Sequence, residues 1–185
     1  MTAEELLERY ATGERDFSGI TIKSGNLVNA NLRDINLSDA DLSFTLLIAT
    51  QLQGANLSGA CLEGANLTCA DLSCANLSRA TLNGNLIGTS FYKAQMSGVV
   101  MYTANLTGAT FQFANLQSSD LGATTLIGTN FFGADLRDSN LEEASGIANF
   151  TEANLLNATT DGFDFGLGNS TFSKTIMQDG STRSN

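Results

Sequence analysis

The 185-residue chain has no proline, no tryptophan and no histidine, only three cysteines, and fewer than half as many basic as acidic residues. Each shortage excludes something. Without histidine there is no imidazole base, no histidine-dependent triad and no imidazole metal site. Without proline no residue lacks its backbone N–H, which suits a structure built on an unbroken hydrogen-bond ladder. Cys61, Cys69 and Cys74 are odd in number and lack CxxC spacing, so they read as reduced thiols and no zinc site is expected. The N-terminus lacks a basic start with an apolar run, and no stretch is long enough to span a membrane. A cytoplasmic protein without membrane contact is expected. The formal charge of −10 excludes an ordinary nucleic-acid binder, which needs a basic stripe to neutralise phosphates.

What is present is a beat of five. From Phe17 to Leu82 every fifth residue is apolar, mostly leucine, and the beat continues with small slips to Met177. A period of five fits neither helix nor flat strand, whose side chains repeat at about 3.6 and 2.0 residues. Fixed short periods mark solenoids, in which neighbouring repeats must stack to make a core. A small residue precedes many centres by two places (Ala55, Ala65, Ala75), and Asn or Asp precedes them by one (Asn56, Asn66, Asp71). Glycine recurs two places after the centre, as at Gly19, Gly54, Gly84 and Gly128, a position suited to a turn with φ > 0.

Units such as 55–59, 65–69, 104–108 and 153–157 follow the pattern A-(D/N)-L-X-X, and the chain resembles the pentapeptide repeat family over about residues 15–179. The resemblance implies an all-β solenoid: a right-handed quadrilateral β-helix of seven to eight coils, each of four pentapeptides. The centre and the small residue before it then point inward. On this geometry the centres sort into four walls. Wall 1 stacks Leu32, Leu52, Leu72, Phe91, Phe111, Phe131 and Phe150; wall 2 runs from Phe17 through Leu57 and Met96 to Leu155. Wall 3 runs from Ile22 through Leu62 and Met101 to Thr160; wall 4 runs from Leu27 through Leu67 to Leu126, ending near Phe165. Two single-residue deletions, near Asn85 and within 144–147, keep these columns in phase and bring the phenylalanines onto one wall.

The division expected is an N-terminal helical cap over 1–14, the repeats over 15–179 and a loose tail over 180–185. Thr2 and Glu5 form a T-x-x-E capping box, Leu6, Leu7 and Tyr10 give an apolar side, and Gly13 can stop the helix. The paired carboxylates Asp39/Asp41 and Glu142/Glu143 read as solvated surface, Gly166-Leu167-Gly168 is too short for a phosphate loop, and no calcium pattern occurs. No catalytic, cofactor-binding or metal-binding residue is assigned, and no cofactor is expected. An outward Asn column on wall 2, including Asn36, Asn56, Asn76 and Asn115, is expected to form side-chain ladders.

The functional expectation is a non-enzymatic structural or protein-interaction module with an unidentified protein partner. Its candidate partner face is an outward apolar stripe on wall 4: Val28, Ile48, Ile87 and Ile127 just after their centres, with Leu46 alongside. The equivalent places on wall 2 hold Ser38, Ser58, Ser78 and Ser97, so the repeat itself does not demand apolar residues there. A homodimer through this stripe or through the C-terminal end is the other expected association. The alternative function comes from the resemblance, because some members are acidic rods that imitate duplex DNA for type II topoisomerases such as gyrase. Its candidate stripe on wall 3 is Asp41, Glu63, Asp120, Glu142, Glu143 and Asp161.

Overall fold

A computed structural model describes residues 1–163 and 170–184. The chain winds as a right-handed quadrilateral β-helix behind a short helix. Bridges join residues twenty apart in parallel register, as in Asn31↔Gln51, Asn36↔Asn56, Asp41↔Cys61 and Leu46↔Asn66, one column per wall. Each unit spends its backbone groups in a fixed way. The centre N–H bonds to the next coil (Leu37 to Asn56 O, 2.7 Å), and the preceding N–H bonds to the previous one (Asn56 to Ile35 O, 2.9 Å). A third bond closes the turn within the coil (Ala60 to Leu57 O, 3.1 Å). Extended runs this short form, among the described residues, four two-residue strands, β1 Thr129–Asn130, β2 Ala148–Asn149, β3 Thr175–Ile176 and β4 Thr182–Arg183.

The interior is filled by the centres and by the small residues before them. Where that small residue is threonine, its hydroxyl donates to a carbonyl, of the coil before at Thr45 (Ile22 O), Thr50 (Leu27 O) and Thr129 (Leu106 O) and of its own coil at Thr124 (Leu121 O). A buried hydroxyl without such a bond costs about 1–3 kcal/mol, so threonine replaces alanine only where it finds a carbonyl. Phe91, Phe111, Phe131 and Phe150 form one buried column on wall 1, with ring centroids 4.8, 5.0 and 5.2 Å apart and near-parallel planes. Phe172 continues the column at 5.6 Å.

Both deletions remove the corner residue of a unit. At the first, Gly84 takes the small inward place, where a Cβ would lie 2.3 Å from Ala65 O; it is not one of the positive-φ turn residues. At the second, Gly146 stands in the wall 4 centre below Leu126, and its absent side chain is required because a Cβ would lie 2.7 Å from Ile127 N. The other corners hold φ near +60° whether or not they are glycine: Asp34, Phe44, Cys69, Lys93 and Phe113 all adopt it. Phe165, expected at the end of wall 4, and the Gly166–Gly168 segment lie outside the described residues.

The first coil is covered by α1, Ala3–Ala11, with a complete capping box between Thr2 and Glu5 and a C-cap at Thr12. Ala3 and Leu6 are buried, and the Tyr10 hydroxyl donates to Arg33 O (2.9 Å). At the far end residues 180–184 do not trail loose. The chain turns at Gly180 (φ +81°), and β4 pairs antiparallel with β3, placing Thr182 opposite Ile176. The pairing gives the exposed edge of β3 a partner, which an open coil end otherwise lacks.

Candidate interaction surfaces

The apolar stripe of wall 4 is one continuous backbone column. Asn29 N donates to Ile48 O, Ala49 N to Thr68 O, Cys69 N to Ile87 O, Gly88 N to Thr107 O and Gly108 N to Ile127 O. Side chains at these places therefore project alike, one per coil. Val28, Leu46 and Ile127 are exposed, with Ile127 at 57 %, while Ile48 and Ile87 are half-buried. The column gains Ile147, 46 % exposed, whose carbonyl accepts from Gly128 N. Sequence spacing hid Ile147 because the second deletion falls beside it. At that end a shallow cleft of about 350 Å³ opens between Gly128, Ile147, Asn149 and Thr171.

The acidic residues of wall 3 are not one stripe. Asp41 and Asp120 occupy the place before a centre and Glu63, Glu142 and Asp161 the place after, while Glu143 stands at the corner. Asp41 is neutralised by Lys23 (Nζ–Oδ2 2.8 Å) and accepts from the Ser43 amide and hydroxyl; the Lys23 bond, then those from Ser43, hold its pKa down at about 2. Asp120 accepts from Gly122 N and Asn140 Nδ2. Between Glu63 and Asp120 two coils present Thr81, Asn83, Val100 and Tyr102, of which Val100 and Tyr102 are exposed. The acids thus fall into two groups roughly 14 Å apart, at about 4.8 Å per coil.

The Asn column of wall 2 forms a ladder in which each coil donates to the one before: Asn36 Nδ2 to Asp16 Oδ1 (2.8 Å), Asn56 to Asn36 (3.0 Å) and Asn76 to Asn56 (3.3 Å). Each Oδ1 also accepts the backbone N–H two residues on, as Ser38 N does to Asn36. The column is thereby explained by the fold, with its polar groups paired. Wall 1 adds a surface feature that periodicity did not reveal. Tyr92, Phe113 and Phe132 meet edge to face at 6.1 and 5.4 Å on the outside of the rod, with Phe113 47 % exposed. Among the described residues no group of three or more His, Cys, Asp or Glu side chains could hold a metal ion, and no helix is long and apolar enough to cross a membrane. The three thiols are unpaired, Cys61 half-buried and Cys69 and Cys74 exposed.

With the coil, its corners and its columns in place, the family model for pentapeptide repeats matches residues 16–50, 46–84 and 104–143, and the chain belongs to that family. No curated protein matches it. Among solved structures it is similar to HetL, a pentapeptide repeat protein involved in heterocyst differentiation regulation from the cyanobacterium Nostoc sp. strain PCC 7120. That match has 26 % identity over 99 % of this chain and 100 % of that one, with a TM-score of 0.38. It is similar also to a trypsin-treated form of QnrB1, a plasmid-mediated fluoroquinolone resistance protein (24 % identity, 82 % and 85 % coverage, TM-score 0.39). A third, Rfr23 from the cyanobacterium Cyanothece 51142, is 21 % identical over 78 % of this chain and 95 % of that one, with a TM-score of 0.35.

Proposed function

We propose that the protein is a non-enzymatic interaction rod of the cytoplasm, with wall 4 as the face that receives a protein partner. The observation that carries this reading is the column from Val28 to Ile147. One β-branched side chain per coil projects on the same rungs, with exposed members at both ends, where wall 2 presents serine for the same backbone. Exposed apolar side chains repeated along one face mark interaction sites, and here only Thr68 and Thr107 interrupt the aliphatic members. The DNA-imitating alternative has weaker support here. Duplex DNA carries about one charge per 1.7 Å of axis, whereas the acids of wall 3 leave a gap of roughly 14 Å.

The test is a comparison of proteins captured from the source cell by the parent chain and by Ile87→Ser with Ile127→Ser. A partner held by the parent and lost by the variant, at unchanged melting temperature, is the expected result. Identical captured sets overturn the reading.

A further inference from the structure

The corner joining wall 1 to wall 2 has an arrangement that the wall 4 reading does not use. Its residues form one column from Asp34 to Lys174, in which each N–H as far as Glu152 donates to the next coil. All of them have φ between 55° and 69°, so their side chains leave the rod in the same way. At its middle lies the exposed aromatic group, where Phe113 stands edge to face with Tyr92 and Phe132 and Lys93 Nζ lies 5.1 Å from the Tyr92 ring centroid. Phe113 leans over Gly133, where a Cβ would lie 2.8 Å from the ring, yet the ring remains 47 % exposed.

We propose that this corner is a self-association edge, along which a second copy of the chain packs antiparallel about a two-fold axis passing between Lys93 and Phe113. Four relations support a second copy over a foreign partner.

The first is charge. The chain carries −10, but along this edge Arg33, Lys93, Arg137 and Lys174 stand against Asp16, Asp34, Asp71, Asp135 and Glu152, a net charge of only −1. Two identical acidic rods meet here with least repulsion.

The second is the order of residues along the column. Reversal about the axis sets Lys93 against the partner's Phe113, a cation–π pairing, and Cys74 against the partner's Gly133. It sets Gly54 against the partner's Glu152, and Asp34 against the partner's Lys174. Every charge meets an opposite charge, a ring or a glycine.

The third is shape. The flanking column of wall 2 is small in its first half, Ser58, Ser78 and Ser97, and long in its second, Gln117, Arg137 and Leu156. The same axis lays each half on the other. An isologous contact requires such self-complementarity, whereas a foreign partner imposes no inversion on the column.

The fourth is size. Eight coils at about 4.8 Å give an edge of roughly 38 Å, along which eight corner residues of one copy meet eight of the other. Wall 4 faces away from this edge and stays free.

Analytical ultracentrifugation of the full chain across a concentration series tests the proposal, with four variants beside the parent. Asp34→Lys alone and Lys174→Asp alone each set like charges together twice per dimer and are expected to weaken dimerisation about tenfold or more. The double variant restores both pairs and returns the dimer to near parental strength. Phe113→Asn suits the left-handed corner, as Asn29 and Asn157 do, and is expected to give monomer with unchanged far-UV circular dichroism. A parent chain that stays monomeric overturns the proposal. So does a dimer indifferent to the single reversals, or one that the double variant fails to restore.

Discussion

The Arg183 guanidinium lies 4.0 Å from the centroid of the Phe172 ring, closing the end of the phenylalanine column with a cation. At the opposite end of the rod, on wall 2, Arg9 lies 5.3 Å over the ring of Phe17 while paired with Glu14. Each end of the rod therefore sets an arginine on a buried phenylalanine ring, an attraction worth about 0.5–2 kcal/mol.

Arg183→Ala is expected to lower stability by about 1 kcal/mol and to speed amide exchange at Thr171 and Ile176, whose N–H groups bond back to the coil before. Phe111→Ala, between two rings at 4.8 and 5.0 Å, should cost about 3–5 kcal/mol in chemical denaturation.

The direction of the wall 2 ladder makes a second prediction. Asn56 both donates to Asn36 and accepts from Asn76, whereas Asp16 only accepts. Asn56→Asp is expected to cost about 0.5–1.5 kcal/mol at neutral pH and less at pH 3, where a protonated carboxyl can donate again. Asp16→Asn should be nearly neutral. Urea titrations of both variants at the two pH values check the contrast.

The Lys23–Asp41 pair sets an acid-side dependence. The folded carboxyl titrates at about 2, below its ordinary 3.8. A depressed carboxylate contributes stability that is complete above the unfolded value and is lost as pH falls through the folded one. Its contribution should therefore fade between about pH 4 and pH 2. An NMR titration of the Asp41 carboxyl should give a midpoint near 2 in the parent and a higher one in Lys23→Ala.

Two glycines with positive φ should respond differently to alanine. At Gly108 a Cβ meets nothing within 4 Å, and Ala49 and Ala123 already hold that conformation elsewhere, so Gly108→Ala should cost about 1 kcal/mol. Gly146 has φ +116°, and a Cβ there would press on Ile127 N and Leu126 C. Gly146→Ala should cost clearly more, read as a larger drop in melting temperature.

The four walls were legible in the sequence because a buried centre tolerates no polar substitute, so each slip announced itself as a break in the beat. The phenylalanines that fell into one column are those whose rings stack. Two kinds of feature were not legible. Outward places carry no burial constraint, so the meeting of Tyr92, Phe113 and Phe132 depends on corner geometry that spacing alone does not give. The last coil is two residues longer than the regular coil of twenty, with Asn149 bridging to Thr171 and Asn154 to Ile176. That offset displaced Phe172 from its expected beat and disguised the returning strand β4. Gly84 shows the limit of reading position alone, since it occupies a turn place by count and an interior place in space.

The ring column also divides the molecule optically. Stacked phenylalanines occupy only the later coils, from Phe91 to Phe172, and the earlier coils are filled almost wholly with leucine. Near-ultraviolet dichroism in the phenylalanine bands will therefore be weighted towards the C-terminal half, the other half adding only Tyr10, Phe17 and Phe44, whereas far-ultraviolet signal reports both. In a solenoid whose coils touch only their neighbours, the two halves need not melt together. Recording both wavelengths through one thermal ramp gives a label-free reading of which end opens first.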